Sequence, residues 1–502
     1  MAGSSLDIYG HIKFYTAKTT TDADGNETLK SVKISQLKIL ELLTEMNFSR
    51  YDLDGTFVFI KNTDNRITET DVEQIKDEFD DYLDGRGVWL NEQLGISRDM
   101  IKEMILNNIS SIFSRDKLYR LRSSKTLDLQ TDGLSNKFFY FKNGYVEISK
   151  KSVGVVRPYS SLSNVIWDNQ VIPREFIISN ETSVAEKFFL CVCGKNEKRL
   201  KDLMIITGYL LHDYYEYKRK GIILTDSTIS ETDEANGRTG KSLYSKMLSY
   251  VLGADRNKTS RVFVDIPGKT FDLFNKHRYQ DCMLETKIVC INDLKKNFDV
   301  DMIYNDITEG ITVEKKGAQP YMIQAKMLLT TNKTVRIEGS SSKDRFLEFE
   351  FSNYFNEHHS PEMEFGHWFF RDWDSLEWNR FYNFFVRCVY MFLSNGSKLN
   401  KPDEINLKAR KFREETSSEF VEWFNYKVEY NFLKFNTEIN KIELFNDFTD
   451  VYSDYKNERF KTKRFVEWLR KATEYHPDLK PVNKTEDETR DSKNRYIIFR
   501  KK

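Results

Sequence analysis

The stretch Asn236-Gly237-Arg238-Thr239-Gly240-Lys241-Ser242 has residue types and spacing that fit phosphate chemistry. An apolar run, Gly221-Ile222-Ile223-Leu224, precedes it, and a helix-like run from Leu243 to Leu252 comes after it. In such a layout the loop N–H groups point inward and cradle polyphosphate oxygens. Lys241 would sit on the β- and γ-phosphates of ATP, and Ser242 would hold Mg²⁺. The pattern G-x-x-x-x-G-K-[ST] is met except at its first glycine, where Ala235 stands. Gly237 offers backbone freedom two residues later. The tripeptide Gly240-Lys241-Ser242 also serves as a plain helix entry, so the reading depends on the residues downstream of it.

Those downstream residues fall into order. Lys287-Ile288-Val289-Cys290-Ile291 is an apolar run of the kind that forms a buried parallel strand, and it ends in Asn292-Asp293. An acid there could coordinate Mg²⁺ and help orient the attacking water; a turn residue is the plainer alternative. Met327 to Thr331 reads as a further buried strand ending at Asn332, which could bond the attacking water or the γ-phosphate; a strand-ending turn residue is the alternative. Between them, Ile311 to Gln319 and the segment from Tyr321 make a hairpin with Lys315 and Lys316 at its tip, suited to a phosphate backbone. Arg345 stands at the entrance of the alternating strand Leu347 to Phe351, a rigid place from which to reach a neighbouring subunit's γ-phosphate. Pairing with Asp344 or Glu348 is the alternative for that arginine.

This order resembles superfamily 3 helicases, the AAA+ replication helicases of viruses, phages and mobile elements, over roughly residues 221–355. The resemblance implies an ATP- and Mg²⁺-dependent helicase, a homo-hexameric ring, and movement 3′ to 5′ on single-stranded and forked DNA. It implies a sensor at Asn332, an arginine finger in trans at Arg345, and a grip on one DNA strand by Lys315 and Lys316. Asn143-Gly144 and the helical segment after it look like the region before the ATPase in phage primase-helicases. Two departures stand out: Ala235, and Asn292 where the family carries a first acid. Glu285, Asp299 and Asp301 are the nearby carboxylates that could replace that acid. No primase motif is legible, so priming is expected from another chain, a primase or polymerase.

The elements that must position these residues imply an α/β chain with an AAA+ P-loop core at 221–400. Residues 1–125 read as mixed and mainly helical, the place of an oligomerisation collar in the family layout. Helices are expected over Ser35–Phe48, over Glu69–Leu83 with Thr68 as cap, and over Ile101–Leu118. Asp52-Leu53-Asp54 has the spacing of a two-metal acid pair, but Gly55 makes it a turn. Residues 126–220 form a connector with a hairpin at Asn143-Gly144. Cys191-Val192-Cys193 reads as two buried thiols on a strand, without partners at metal spacing.

The chain has 502 residues, 39% hydrophobic and 14% aromatic, ample for several cores. Charged residues make up 31%, and no apolar run reaches the roughly 18–20 residues of a membrane span. Five scattered cysteines favour reduced thiols and a cytoplasmic setting. Charge balances overall, yet residues 456–502 carry 15 basic against 8 acidic residues. Residues 401–502 read as a helical domain ending in a two-stranded wing. A winged helix would set Lys461, Lys463, Arg464, Arg470 and Lys471 against DNA phosphates. The alternative is a helical tail packed on the ring. An origin-binding initiator, or a nucleotide-dependent switch or scaffold, would share the same ATPase core.

Overall fold

The computed structural model describes residues 12–53, 56–85, 94–124, 128–214, 219–228, 238–255, 259–295, 298–316, 319–333, 335 and 344–502.

Among the described residues of the first 125, strands are as prominent as helices. Strands β1 (Tyr15–Thr21) and β2 (Glu27–Ile34) form a hairpin. Asp22 closes its tip by accepting the N–H groups of Asp24 and Asn26 at 3.0 and 2.9 Å. Helix α1 (Gln36–Glu45) leads into β3 (Phe48–Leu53), β4 (Thr56–Thr63) and β5 (Arg66–Thr70), which pair antiparallel. Thr68 and Glu69 therefore belong to a strand. The next helix, α2 (Val72–Asp84), starts where Asp71 and Gln74 make a reciprocal capping box. The helix expected to run from Ile101 to Leu118 breaks after α3 (Arg98–Leu106), because Asn107 and Asn108 end it and two single turns come next. Asp52 lies in β3, ion-paired to Arg50 at 2.7 Å, while Asp54 falls outside the described residues.

In the connector, β6 (Asn136–Phe141) and β7 (Gly144–Ser149) turn at Asn143-Gly144. Gly144 has φ +138°, and a Cβ there would meet the Arg157 carbonyl at 2.2 Å, so only glycine fits. Strand β8 (Ile166–Trp167) pairs parallel with β5, so the connector completes the sheet begun by the N-terminal residues. Helices α4 (Val184–Val192) and α5 (Glu197–Leu211) come next. Cys191 and Cys193 sit at the end of α4, not on a strand, and their thiols are free and buried.

Five parallel strands then make the central sheet: β9 (Gly221–Asp226), β10 (Phe263–Pro267), β11 (Ile288–Asn292), β14 (Lys326–Thr330) and β15 (Phe346–Phe351). Their order is β10-β11-β14-β9-β15. Alternation divides their side chains cleanly. Ile222, Leu224, Ile288, Cys290 and Leu328 enter one core, which α4 and α5 cover. Ile223, Val289, Ile291, Met327 and Leu329 enter another on the opposite face. Burial of both faces is why β9, β11 and β14 read as continuous apolar runs. Helix α6 (Lys241–Val251) comes after β9, and the hairpin β12 (Ile311–Val313) with β13 (Tyr321–Ile323) lies between β11 and β14 in sequence. The topology is that of a P-loop-like core.

Helix α7 (Ser375–Ser394) packs on α5, where Gly208 admits the Cys388 carbonyl; a Cβ at that position would stand 2.3 Å from it. After α8 (Leu407–Glu415) come α9 (Ser418–Glu429), β16 (Glu438–Asn440), α10 (Lys441–Val451), α11 (Thr462–Tyr475), β17 (Glu488–Arg490) and β18 (Arg495–Ile498). The three strands form an antiparallel sheet, β16-β18-β17. Phe420, Trp423, Phe448, Phe465 and Trp468 fill the core beneath them. Among the described residues no helix is long and apolar enough to cross a membrane.

Candidate nucleotide site

Strand β9 is the point where the sheet's connections diverge. The next strand in sequence, β10, lies at one edge, whereas β15 closes the sheet on the other side of β9. A crevice opens at the carboxyl ends of parallel strands at such a point, and ligands bind there. Helix α6 starts at that end. Gly240 forms its entry with φ +101°, and a Cβ there would press on the Phe188 ring at 2.7 Å. Gly240 offers no side chain to cap the first-turn N–H groups, which suits an anion.

Three buried groups meet behind this entry. Lys241 Nζ donates to Asp226 Oδ1, and the Thr239 hydroxyl donates to the same oxygen. Lys241 Nζ also reaches Thr239 Oγ1 at 3.3 Å. Burial pushes the Lys241 pKa down, and Asp226 works against that shift. Arg410 and Asp293 also act on this lysine, Arg410 by lowering its pKa and Asp293 by raising it, so all four groups share one neighbourhood. Ser242 is exposed on the first turn of α6. Arg238 has φ +81° and stands 3.7 Å from Glu357 at the surface. Asn236 and Gly237 lie outside the described residues.

Asp293 comes directly after β11 with φ +62°. Its N–H donates to Thr330 Oγ1 at 2.9 Å, and that hydroxyl donates to Asn292 Oδ1 at 2.5 Å. The Asp293 carboxylate pairs with the exposed Lys269 at 2.9 Å. Thr330 is in register with Leu224, and the Thr331 N–H donates to the Leu224 carbonyl, so Asn332 follows at the carboxyl end of β14. The sheet thus brings Lys241, Asp293 and Asn332 to one end.

Of the carboxylates named in place of the acid missing at Asn292, two are engaged elsewhere. Glu285 precedes β11, at the opposite end of the strand, where it is buried and accepts Asn169 Nδ2 at 3.0 Å. Asp299 accepts the N–H of Asp301 and caps the turn after it. Asp265 of β10, exposed at the surface, lies next to Asn292; partial desolvation raises its pKa and the Asn292 side chain works against that. Asp265 and Asp226 were both missed from sequence. Each ends or nearly ends an apolar run, and that was the available signal. Arg410 carried none, because it is 169 positions from Lys241. Helix α8 brings it in: Asn406 Nδ2 donates to the Ser227 carbonyl at 2.9 Å, and Glu350 accepts the N–H groups of Ile405 and Asn406 at 2.6 and 3.0 Å.

The donors available to a divalent ion are oxygens: Ser242, Asp293, and Asp226 Oδ2, which is buried without a partner among the described residues. That set fits hard Mg²⁺. Among the described residues no cluster of three or more His, Cys, Asp or Glu is disposed to hold a metal by itself. Magnesium commonly completes its shell with phosphate and water, so the two facts agree.

The remaining predicted residues lie elsewhere. Arg345 is at the amino end of β15, beside Gly221 and away from Lys241. Lys315 is half-buried, with Nζ 2.7 Å from Met283 Sδ and 5.7 Å from the Tyr321 ring centre, whereas Lys316 is exposed. Lys461, Lys463 and Arg464 are exposed at the start of α11. Arg470 and Lys471 do not join them. Arg470 is bound by Glu488 at 2.5 and 2.9 Å, and Lys471 by Glu415 and Glu474, since the next turn of α11 faces the protein's own acids.

No protein-family model matches this chain, and no curated protein matches it. Among solved structures, an apo form of the C-terminal region of NrS-1 aligns with 92% of this chain and 99% of its own, at 11% identity and a TM-score of 0.40. A second apo structure of that region aligns over the same shares, at 10% identity and a TM-score of 0.42. Likeness of this size carries no argument about the site, which rests on its own geometry.

Proposed function

We propose that this chain is an ATP-dependent DNA helicase of superfamily 3, AAA+ type, acting as a ring of identical subunits. The observation that carries the reading is the meeting of Lys241, Asp293 and Asn332 at the carboxyl end of a five-stranded parallel sheet, at the start of helix α6. Lys241 and the N–H groups of the first α6 turn bind the triphosphate. Ser242 and Asp293 hold Mg²⁺, which supplies charge neutralisation at the phosphates when bound. Asn332 orients the attacking water. Arg345 of one subunit completes the neighbour's site, and Lys315 and Lys316 hold one DNA strand. Residues 418–498 act as a winged helix on duplex DNA, and priming comes from a separate primase or polymerase.

The test is ATP hydrolysis by the purified protein with and without single-stranded DNA, beside Lys241→Ala. Hydrolysis that DNA stimulates and that Lys241→Ala abolishes supports the motor. Undetectable hydrolysis under every DNA condition, with nucleotide still bound, defeats it and leaves a switch or scaffold. The exposed cations at the start of α11 favour a second reading, an origin-binding initiator. Robust hydrolysis without unwinding of forked DNA would select it.

A further inference from the structure

Lys241 already has an anion in this structure. Asp226 is the last residue of β9 and only 3% exposed; Thr239 and Lys241 are 1% and 7% exposed. One carboxylate oxygen, Oδ1, accepts from both of them, and Oδ2 is buried without a partner among the described residues. Asp226 stands at the entrance to the phosphate loop, and Thr239 and Lys241 stand at its exit. The shared oxygen therefore pins the two ends of the loop together. A phosphate on the start of α6 needs the same ammonium.

We propose that Asp226 is a positioning residue and internal anion: it holds Lys241 and Thr239 in the nucleotide-free site, yields the lysine to a phosphate on binding, and takes it back as product leaves. This rests on the nucleotide-binding reading of the site. No covalent bond changes in the exchange; one oxygen acceptor replaces another on the same ammonium. Holding Thr239 and Lys241 preorganises these two residues at the start of α6 and lowers their own ordering cost on binding. The exchange leaves a buried carboxylate with one donor, Thr239, and a phosphate nearby of like charge. A buried charge deprived of its cation is strained. That strain is absent from the empty site, so it weakens binding and speeds product release.

The experiment compares wild type with Asp226→Asn, which keeps the shape and an acceptor oxygen but loses the charge. Binding and release of N-methylanthraniloyl-labelled ATP and ADP are monitored by fluorescence, pyrophosphate binding by calorimetry, and the melting temperature of the free protein by scanning. The free variant should melt lower, because Lys241 has lost its counter-ion. Its affinity for the labelled ADP should nonetheless tighten about tenfold or more, the scale of a charge-assisted hydrogen bond, and mostly through slower release. Asp226→Glu, which restores the charge, should return affinity and release toward wild type. A residue that only stabilises the fold would lower both melting temperature and affinity. Unchanged or weaker ADP binding by folded Asp226→Asn therefore overturns the proposal while the nucleotide reading stands. If wild type binds neither labelled nucleotide, that reading fails, and pyrophosphate decides for Asp226. Tighter pyrophosphate binding by the variant upholds the exchange; equal, weaker or absent binding overturns it. Asp226→Ser is read the same way should Asp226→Asn not fold.

Discussion

The guanidinium of Arg345 lies over the Tyr304 ring, 3.3 Å from its centre, at the amino end of β15. Residue Phe346 pairs with Gly221 and Phe351 with Asp226, so five strand steps separate this arginine's end of the sheet from its own phosphate site. At about 3.3 Å per residue that is roughly 17 Å. Arg345 thus serves a second copy or none. Arg345→Ala is expected to bind ATP normally and to lose hydrolysis by about 10³-fold or more, the scale of a trans arginine. Mixing it with Lys241→Ala should restore part of the activity, since some seams then carry both intact groups. Mixtures that stay inactive, with each variant assembled, would remove Arg345 from the site.

Asn292 and Asp265 form the next prediction. Partial desolvation raises the Asp265 pKa, and the Asn292 side chain opposes it through a hydrogen bond. Asn292→Asp would restore an acid at the strand end but would set two carboxylates together, which cannot both ionise cheaply. A carboxyl whose folded pKa is raised keeps a proton that the unfolded chain has lost. Stability then falls as pH rises above the ordinary carboxylate range. The melting temperature of Asn292→Asp should match wild type near pH 5 and drop below it by pH 8, with no gain in hydrolysis. A faster enzyme with unchanged melting would mean that the strand end merely lacked an acid.

Sequence revealed β9, β11 and β14 because both faces are buried, which makes them apolar runs, and β15 by its alternation; β10, interrupted by Asp265, was not read. The helical reading of residues 401–502 covers α11, where Phe465, Trp468 and Leu469 repeat at helical spacing toward one core. Sequence missed the β5–α2 junction, where Thr68 and Asp71 are both fit to cap and only the reciprocal bond with Gln74 decides. In the site, local pattern pointed to Lys241, Asp293 and Asn332, which follow strands or open a helix at one end of the sheet. Asp226 was hidden because an acid after an apolar strand is common, and its meaning comes from a lysine 15 residues on. That Arg470 and Lys471 pair with the protein's own acids was hidden, because charge counts do not say which way a helix turn faces.

Lys326 gives a pH prediction away from the nucleotide. It is fully enclosed at the start of β14, donates to the Tyr209 and His212 carbonyls, and lies 4.0 Å from the Tyr209 ring centre. Burial pushes its pKa down to about 7, with Asp213 opposing and Lys137 assisting. The unfolded chain keeps that proton to near the ordinary lysine value of 10.5. Between these values the unfolded state holds more protons, so stability rises with pH. Against Lys326→Met, wild type should therefore gain melting temperature from pH 7 to pH 9. A difference between the two that does not change with pH would mean that the lysine stays charged inside.

The cations of the C-terminal unit divide into two kinds, and mutation should separate them. Arg470 and Lys441 both bind Glu488, holding its pKa down at about 2. Glu488 lies on β17, so this cluster ties α10 and α11 to the hairpin. Its stabilisation is complete above the ordinary glutamate range and is lost as pH falls from there through about 2. Arg470→Ala should lower the melting temperature at neutral pH, and this deficit should shrink in acid. Lys461, Lys463 and Arg464 have no ion pair among the described residues, although Arg464 lies 5.7 Å from the Trp468 ring centre. Removing any one of them should leave the melting temperature unchanged. If α11 enters a DNA groove, each loss should weaken duplex binding across all sequences and reduce the salt slope by about 1. Fluorescence anisotropy against a labelled duplex over a salt series measures both quantities. Identical slopes for wild type and the triple alanine variant would take DNA away from this face and leave a tail that packs on its own ring.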